Sequence, residues 1–351
     1  MAYTIRRLQP TDAAALYRLR QSPGVVRNTL QQPFQSLAAT QAFLDNYPET
    51  SHALVACTDD GELVGCGGLH AGHHSPHRRH AALFFLFVRD DWQGKGVGSA
   101  LLRAVLDYAD NWLDLKRIEL DVVHDNHGAI ALYERFGFRH EGVSRGFNLR
   151  EGVYEDAVLM ARLRFREGEL GAARAELPDQ AGERVPAGSA FSLRHAEPGD
   201  AAGMAAVMAY DSTYGNTLQL PYPSAAIWQQ RLKQPGRTVL VACDADGAII
   251  GHCGAWAPSD NPRVAHIIGM GITVTPAWQG RGVGSALLSA MVQQVRDYQP
   301  YRRMELTVFA GNAPAIALYR KLGFQQEAVL TGYAYQAGQY RDCLQMSLWL
   351  K

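Results

Sequence analysis

Hydrophobic positions along this chain change between a period of two, which places alternate side chains on one face of a strand, and a period near 3.6, which marks one face of a helix. Alternating or continuous apolar runs at 3–8, 52–57, 62–69 and 81–88 predict four strands. Thr11 and Asp12 suit the N-cap of a first helix, and a second helix is predicted near 36–46. A glycine-rich loop then opens a strongly amphipathic helix over 97–112. A strand at 116–123, a short helix at 128–136 and two closing strands around 138–147 and 153–163 complete the series. The order is α+β and mixed rather than regularly alternating, which disfavours a doubly wound dinucleotide-binding sheet.

The whole pattern occurs twice. DWQGKGVGSALL (91–102) and AWQGRGVGSALL (277–288) agree at ten of twelve positions, at an offset of 186. At the same offset NHGAIALYERFGF (126–138) pairs with NAPAIALYRKLGF (312–324), RIELDVV (117–123) with RMELTVF (303–309), and YEDAVLMARL (154–163) with YRDCLQMSLW (340–349). Nearer the start the offset is 188, pairing IRRLQPTDAAAL (5–16) with LRHAEPGDAAGM (193–204) and NTLQQP (28–33) with NTLQLP (216–221). A period this long is a duplicated domain, not a solenoid. The expected organisation is one domain at 1–163, a linker at 164–190 and a second domain at 191–351. The linker is rich in Gly, Ala, Pro and charge, with a short helix conceivable at 167–177.

The length of 351 residues agrees with two domains, and 47% apolar with 19% charged residues is a globular composition. Lys plus Arg and Asp plus Glu are both 34, which removes the broad positive footprint of a nucleic-acid binder or a polybasic membrane-surface protein. The strongly apolar run at 81–88 falls far short of the ~20 residues of a membrane helix, and the N-terminus lacks a signal-peptide apolar region. A cytoplasmic protein with no membrane partner is expected. Five cysteines without a CxxC pair read as reduced thiols in or beside strands.

Glycines between an apolar strand and a helix permit positive φ and close backbone approach, and the first helical turn offers free N–H groups at the positive end of its dipole. Such a loop suits a phosphate. The QxxGxG spacing and the loop's place after the fourth strand fit neither the dinucleotide fingerprint nor a P-loop, which needs GK[ST]. An ordinary strand-to-helix turn is the bland alternative, weakened by the repetition.

QGKGVGSALL and QGRGVGSALL resemble the acetyl-CoA pyrophosphate motif of the GCN5-related N-acetyltransferases (GNAT), and the Asn-x6-Tyr-x3-GF segments resemble their following helix. The resemblance covers both copies. It implies two tandem GNAT domains, each a mixed, mostly antiparallel central sheet flanked by helices, and an acyltransferase using acetyl-CoA. NTLQ-x-P, DNWL (110–113) and the Tyr-x-Asp near each copy's end look most like bacterial L-amino-acid N-acetyltransferases of the phenylalanine/methionine kind.

The resemblance assigns cofactor contacts to Val88, Gln93, Gly94, Lys95, Gly96, Val97, Gly98, Ser99, Asn126 and Tyr133. In the second copy these are Val274, Gln279, Gly280, Arg281, Gly282, Val283, Gly284, Ser285, Asn312 and Tyr319. Val88 and Val274 would offer backbone groups to the thioester carbonyl and pantetheine, and Tyr133 and Tyr319 would face the sulfur. Asn and Tyr seven residues apart share a helix face. Asp121, whose counterpart is Thr307, is a candidate base in the first copy alone. Leu83 and Gly269 stand where many relatives carry a carboxylate.

Asn28, Thr29, Asn216 and Thr217 are candidate acceptor contacts, with a capping turn before proline as the alternative. Phe34, Phe147, Tyr222, Tyr333 and Tyr335 could shape an apolar pocket. His80 and His266 share a repeated position, as a proton relay or as structural histidines. Glu119 and Glu305 are expected on a solvated strand face. The histidines at 70–80 read as a solvated loop, so no metal is expected.

The leading expectation is acetyl transfer to a primary amine of a small molecule, a free L-amino acid above others, by direct attack in a ternary complex. Acetylation of a protein or peptide N-terminus or of an antibiotic amine, or one half acting as a non-catalytic acetyl-CoA-binding module, are the alternatives.

Overall fold

The computed structural model describes residues 3–48, 51–71, 75–171, 190–222 and 224–351. The chain divides into two compact units, Met1–Glu169 and Leu170–Lys351. The division falls within the stretch expected to link the copies, and Leu170 bridges Tyr340 of the second unit. Residues 167–171 form a turn and this bridge instead of a helix, and 172–189 lie outside the described residues.

The first unit is built from β1 (Tyr3–Arg7), α1 (Ala13–Arg20), α2 (Pro23–Asn28), α3 (Leu37–Asp45), β2 (Ser51–Thr58), β3 (Leu63–Ala71), β4 (Ala81–Val88), α4 (Val97–Asn111), β5 (Arg117–Val123), α5 (His127–Arg135), β6 (Arg139–Arg150) and β7 (Val153–Leu163). Its strand order is β1-β2-β3-β4-β5-β7-β6. All neighbours are antiparallel except β4 and β5. Asp12 does not cap α1 forwards. Its carboxylate accepts from the Gln9 amide at 2.8 Å and takes a two-pronged bond from Arg6, and these hold it below the usual carboxylate range.

The second unit repeats the plan with β8 (Ser192–His195), α6 (Ala201–Val207), α7 (Asp211–Tyr214), α8 (Ala225–Leu232), β9 (Thr238–Cys243), β10 (Ile249–Trp256), β11 (Ile267–Val274), α9 (Val283–Tyr298), β12 (Arg303–Phe309), α10 (Ala313–Lys321), β13 (Gln325–Gln336) and β14 (Gln339–Trp349). Its order is β8-β9-β10-β11-β12-β14-β13. Both sheets are mixed and mostly antiparallel, as expected. The short α2 and α7 before NTLQ are absent from the sequence reading, because six and four residues are too few for a helical period to show. All five cysteines are free, buried and in strands.

Helices cover both faces of each sheet. In the first unit α4 and α5 pack Leu102, Val105, Leu106 and Tyr133 against Ile118, Leu120 and Phe84. On the other face Leu16, Leu19 and Leu44 pack against Val55 and Cys66. One parallel pair decides where a ligand can enter. β4 and β5 pair only from Ala81–Arg117 to Leu83–Glu119, although β4 runs on to Val88 and β5 to Val123. β11 and β12 likewise pair only from Ile267–Arg303 to Gly269–Glu305. Beyond those pairs each sheet opens into a cleft.

Candidate active site

The register of β4 fixes which backbone groups face the opening. Arg89 N–H donates to Val64 O at 3.0 Å, so Arg89 is a hydrogen-bonded partner of β3 and its neighbour Val88, opposite Gly65, is not. The Val88 N–H and C=O therefore point away from β3, towards the cleft. Thr275 N–H donates to Ile250 O at 2.9 Å and leaves Val274 in the same posture. Each carbonyl is then taken up by the loop: Gln93 Nε2 donates to Val88 O at 3.2 Å and Gln279 Nε2 to Val274 O at 3.0 Å. The Val88 and Val274 N–H groups remain directed at the opening.

Gly94 and Gly280 have φ of 72°, and Gly96 and Gly282 have φ of 84° and 86° as N-caps of α4 and α9. These are left-handed conformations that glycine adopts without strain. A glycine N-cap has no side chain, so the first-turn N–H groups of helices 15 and 16 residues long carry no side-chain cap. A Cβ on any of the four glycines would meet nothing within 4 Å, so the space in front of the loop is open. Lys95 Nζ lies 5.3 Å over the Trp92 ring, and Arg281 Nε donates to Ala277 O at 2.9 Å. An open, uncapped, positively polarised helix entrance in each unit fits a pyrophosphate.

Asn126 and Asn312 are the N-caps of α5 and α10, each side-chain oxygen accepting from the residue three further on at 3.3 Å. Two turns later Tyr133 and Tyr319 are buried, 6% exposed, and pack on Phe138 and Phe324 at 5.8 Å. Burial pushes both phenols up, so they stay protonated at physiological pH. Tyr319 and Asn312 line a cavity of about 1240 Å³ in the second unit, together with Gly280, Ser285, Thr307 and Asn216. The cradle side and the NTLQ side are thus parts of one cleft there.

Several expectations are corrected. The Thr29 hydroxyl donates to Val25 O and accepts from Gln31 N–H, and Thr217 does the same with Tyr214 O and Gln219 N–H. Both threonines shape a turn, and the glutamine of NTLQ reaches inwards. One Asn216 amide hydrogen goes to Ser212 O at 2.7 Å, and Asn216 and Thr217 both line the cavity. Phe34 and Tyr222 are 96% and 95% exposed, with φ of 60° and 62°, so neither ring is packed into an apolar wall. Tyr335 is half exposed and packs on Tyr340, whereas Tyr333 lines the cavity. His80 and His266 immediately precede β4 and β11, and their carbonyls accept from Arg117 and Arg303 N–H at 3.2 Å. From there to Val88 or Val274 is about 26 Å of strand, which leaves no relay role.

Glu119 and Glu305 are half-buried beside arginines instead of lying on a fully solvated face. Glu119 is paired with Arg117 at 2.8 Å and with Arg78, both arginines buried. The loop carrying Arg78 and His77 is accordingly buried there rather than solvated; 72–74 lie outside the described residues. In the second unit Val264 replaces Arg78, and Arg303 turns chiefly to Glu327 at 2.6 Å, lying 3.5 Å from Glu305. Burial then raises the Glu305 carboxyl above its usual range, and Glu305 lines the cavity. Sequence reasoning missed this residue because its repeat partner is identical and only a distant Arg-to-Val change separates them. Asp121 is exposed on β5, two residues beyond Glu119 and on the same face. Among the described residues no cluster of three metal-ligating side chains occurs.

The family model "Acetyltransferase (GNAT) family" matches residues 15–138 and 202–324. The chain belongs to the GNAT acetyltransferase family. It carries two GNAT domains, and acetyl-CoA is the acetyl donor of this family of N-acetyltransferases. The L-amino acid N-acetyltransferase AaaT of Escherichia coli K12 is 41% identical over 160 residues, covering 45% of this chain and 98% of that protein. The spermidine N(1)-acetyltransferase of E. coli K12 is 27% identical over 157 residues, 44% of this chain and 83% of that protein. A solved structure, spermidine N-acetyltransferase from Vibrio cholerae in complex with CoA and spermine, is 26% identical and covers 46% of this chain and 95% of that chain, with a TM-score of 0.42. Among the described residues no helix is long and apolar enough to cross a membrane.

Proposed function

We propose that each GNAT domain of this chain acetylates the primary amine of a free L-amino acid by direct attack in a ternary complex. The observation that carries the cofactor half of this reading is the pair of uncapped glycine entrances beside the open Val88 and Val274 N–H groups. Support for the acceptor half is the 41% identity to an L-amino acid N-acetyltransferase over one domain's length.

Acetyl-CoA supplies an activated acetyl thioester. The amides of Gly94–Ser99 and of Gly280–Ser285 hold its pyrophosphate, and Asn126 and Asn312 lie along the pantetheine path. The Val88 and Val274 N–H groups donate to the thioester carbonyl oxygen as fixed dipoles, which act strongest where water is excluded. An α-amine with a pKa of about 8 must lose a proton before it attacks. Asp121 takes that proton in the N-terminal domain. Thr307 cannot titrate, so in the C-terminal domain the role falls to Glu305, the cavity-lining carboxylate on the same strand face. The C–N bond forms as the C–S bond breaks; Tyr133 or Tyr319 passes a proton to the departing sulfur and is restored by the second proton that the new amide nitrogen gives up, so the products are the amide and the CoA thiol. Asn28, Thr29, Asn216 and Thr217 hold the acceptor-side loop in shape.

A thiol-release screen over L-amino acids, spermidine and a peptide N-terminus tests the acceptor. Turnover on amino acids above the other two classes is expected. Preference for a polyamine or peptide would overturn this reading.

A further inference from the structure

We infer that the two domains divide acceptors by charge: the C-terminal pocket takes an amino acid bearing two acid groups, and the N-terminal pocket one bearing a single carboxylate and an apolar side chain. This rests on the free-amino-acid reading above.

Both domains keep one guanidinium tied to the glutamine of NTLQ, but from different helices. Arg20 on α1 donates from Nε to Gln31 Oε1 at 2.7 Å and lies 5.0 Å over the Phe43 ring. In the second copy the counterparts of Arg20 and Phe43 are Met208 and Arg231. Arg231, now on α8, donates from Nη2 to Gln219 Oε1 at 2.8 Å and lies 4.9 Å over the Trp228 ring. The charge has changed helix and kept its partner. Burial lowers the pKa of both arginines, and neither forms an ion pair among the described residues. A desolvated guanidinium with no acid is costly unless an anion completes it. The α-carboxylate of an acceptor is that anion.

The C-terminal pocket holds a second such charge. Arg237 stands where the first copy has Ser51, and Trp256 where it has His70. Ser51 Oγ and His70 Nδ1 are hydrogen-bonded at 3.3 Å, whereas Arg237 lies 4.8 Å over Trp256 and has a buried Nε without a partner. Both arginines act on His252, which is 5% exposed and has an unpartnered Nε2 at the cavity wall. Burial and the two guanidiniums keep its imidazole neutral. Of the carboxylates lining the cavity, Asp211 bonds Tyr214, Asp342 bonds the Gly332 amide and Glu305 faces Arg303. The residues of β11 that line this cavity are smaller than their first-copy counterparts. Gly269, Gly271 and Thr273 replace Leu83, Phe85 and Phe87, and Trp256 lies against the two glycines. In the first copy Phe85 stacks on His70 and on Phe87, which gives an apolar wall.

The test uses the full chain with L-glutamate, L-aspartate, L-methionine and L-phenylalanine, comparing kcat/KM. Arg237→Met should lower the glutamate-to-methionine ratio at least tenfold, and Arg20→Met should raise it at least tenfold. Arg237→Lys should recover part of the loss, and thermal unfolding of each variant confirms that it folds. Ratios unmoved, or moved in the same direction by both substitutions, overturn the division of acceptors while leaving the amino-acid reading intact. Wild-type protein that acetylates spermidine or a peptide but no amino acid overturns both.

Discussion

Gln93 ties the glycine loop back to the strand it leaves, its Nε2 lying 3.2 Å from the carbonyl oxygen of Val88. The repeat preserves the relationship in Gln279 and Val274 at 3.0 Å. Gln93 therefore works on the loop's geometry. Gln93→Ala and Gln279→Ala remove a hydrogen bond of about 1 kcal/mol, so each should raise the acetyl-CoA Kd of its own domain about fivefold with little change in Tm. Titration of CoA into each variant measures it, and an unchanged Kd would show that the loop holds its shape unaided.

Tyr133 and Tyr319 are buried phenols held protonated, two turns from the asparagine that begins their helix. Tyr133→Phe and Tyr319→Phe keep the ring packing on Phe138 and Phe324 and remove only the hydroxyl. Each should lower turnover in its own domain by about 10²-fold with the CoA Kd preserved, the scale of a lost general acid. Unchanged turnover in both would leave the sulfur without a protein donor.

Glu305 has a folded-state pKa raised by burial. A carboxyl shifted this way favours folding while protonated: its contribution is full below the unfolded value of about 4.3 and is lost as the pH rises through the higher folded value. Glu305→Gln should therefore flatten this dependence and raise the C-terminal domain's Tm at pH 8. With the N-terminal cradle blocked by Ser99→Glu, it should also remove the acid limb of kcat/KM and cost at least tenfold in rate. A fall in Tm at every pH would assign Glu305 to structure as the partner of Arg303.

The duplication, the strand series and the glycine loop were legible because each is local: a period, a spacing, a repeated string. Element ends in the first copy agree within a few residues, as for α4 against 97–112. What stayed hidden depends on pairs far apart in sequence. Arg78 and Glu119 meet across 41 residues, so the loss of Arg78 at Val264 could not be read as a change at Glu305. Arg20 and Arg231 occupy different repeat positions, so alignment of the copies shows two unrelated substitutions. Only the shared glutamine bond reveals one conserved charge. Asp12 had the residue type of a cap, yet Arg6 and the Gln9 amide claim its carboxylate.

The most direct test is calorimetric titration of CoA into the full chain. Two CoA per chain are expected, falling to one in either Ser99→Glu or Ser285→Glu, where a carboxylate sits in the first helical turn without disturbing the glycines. Gly96→Glu and Gly282→Glu should give the same result. A stoichiometry of one or none for the wild-type chain, or of two in these variants, would contradict a donor site at each helix entrance.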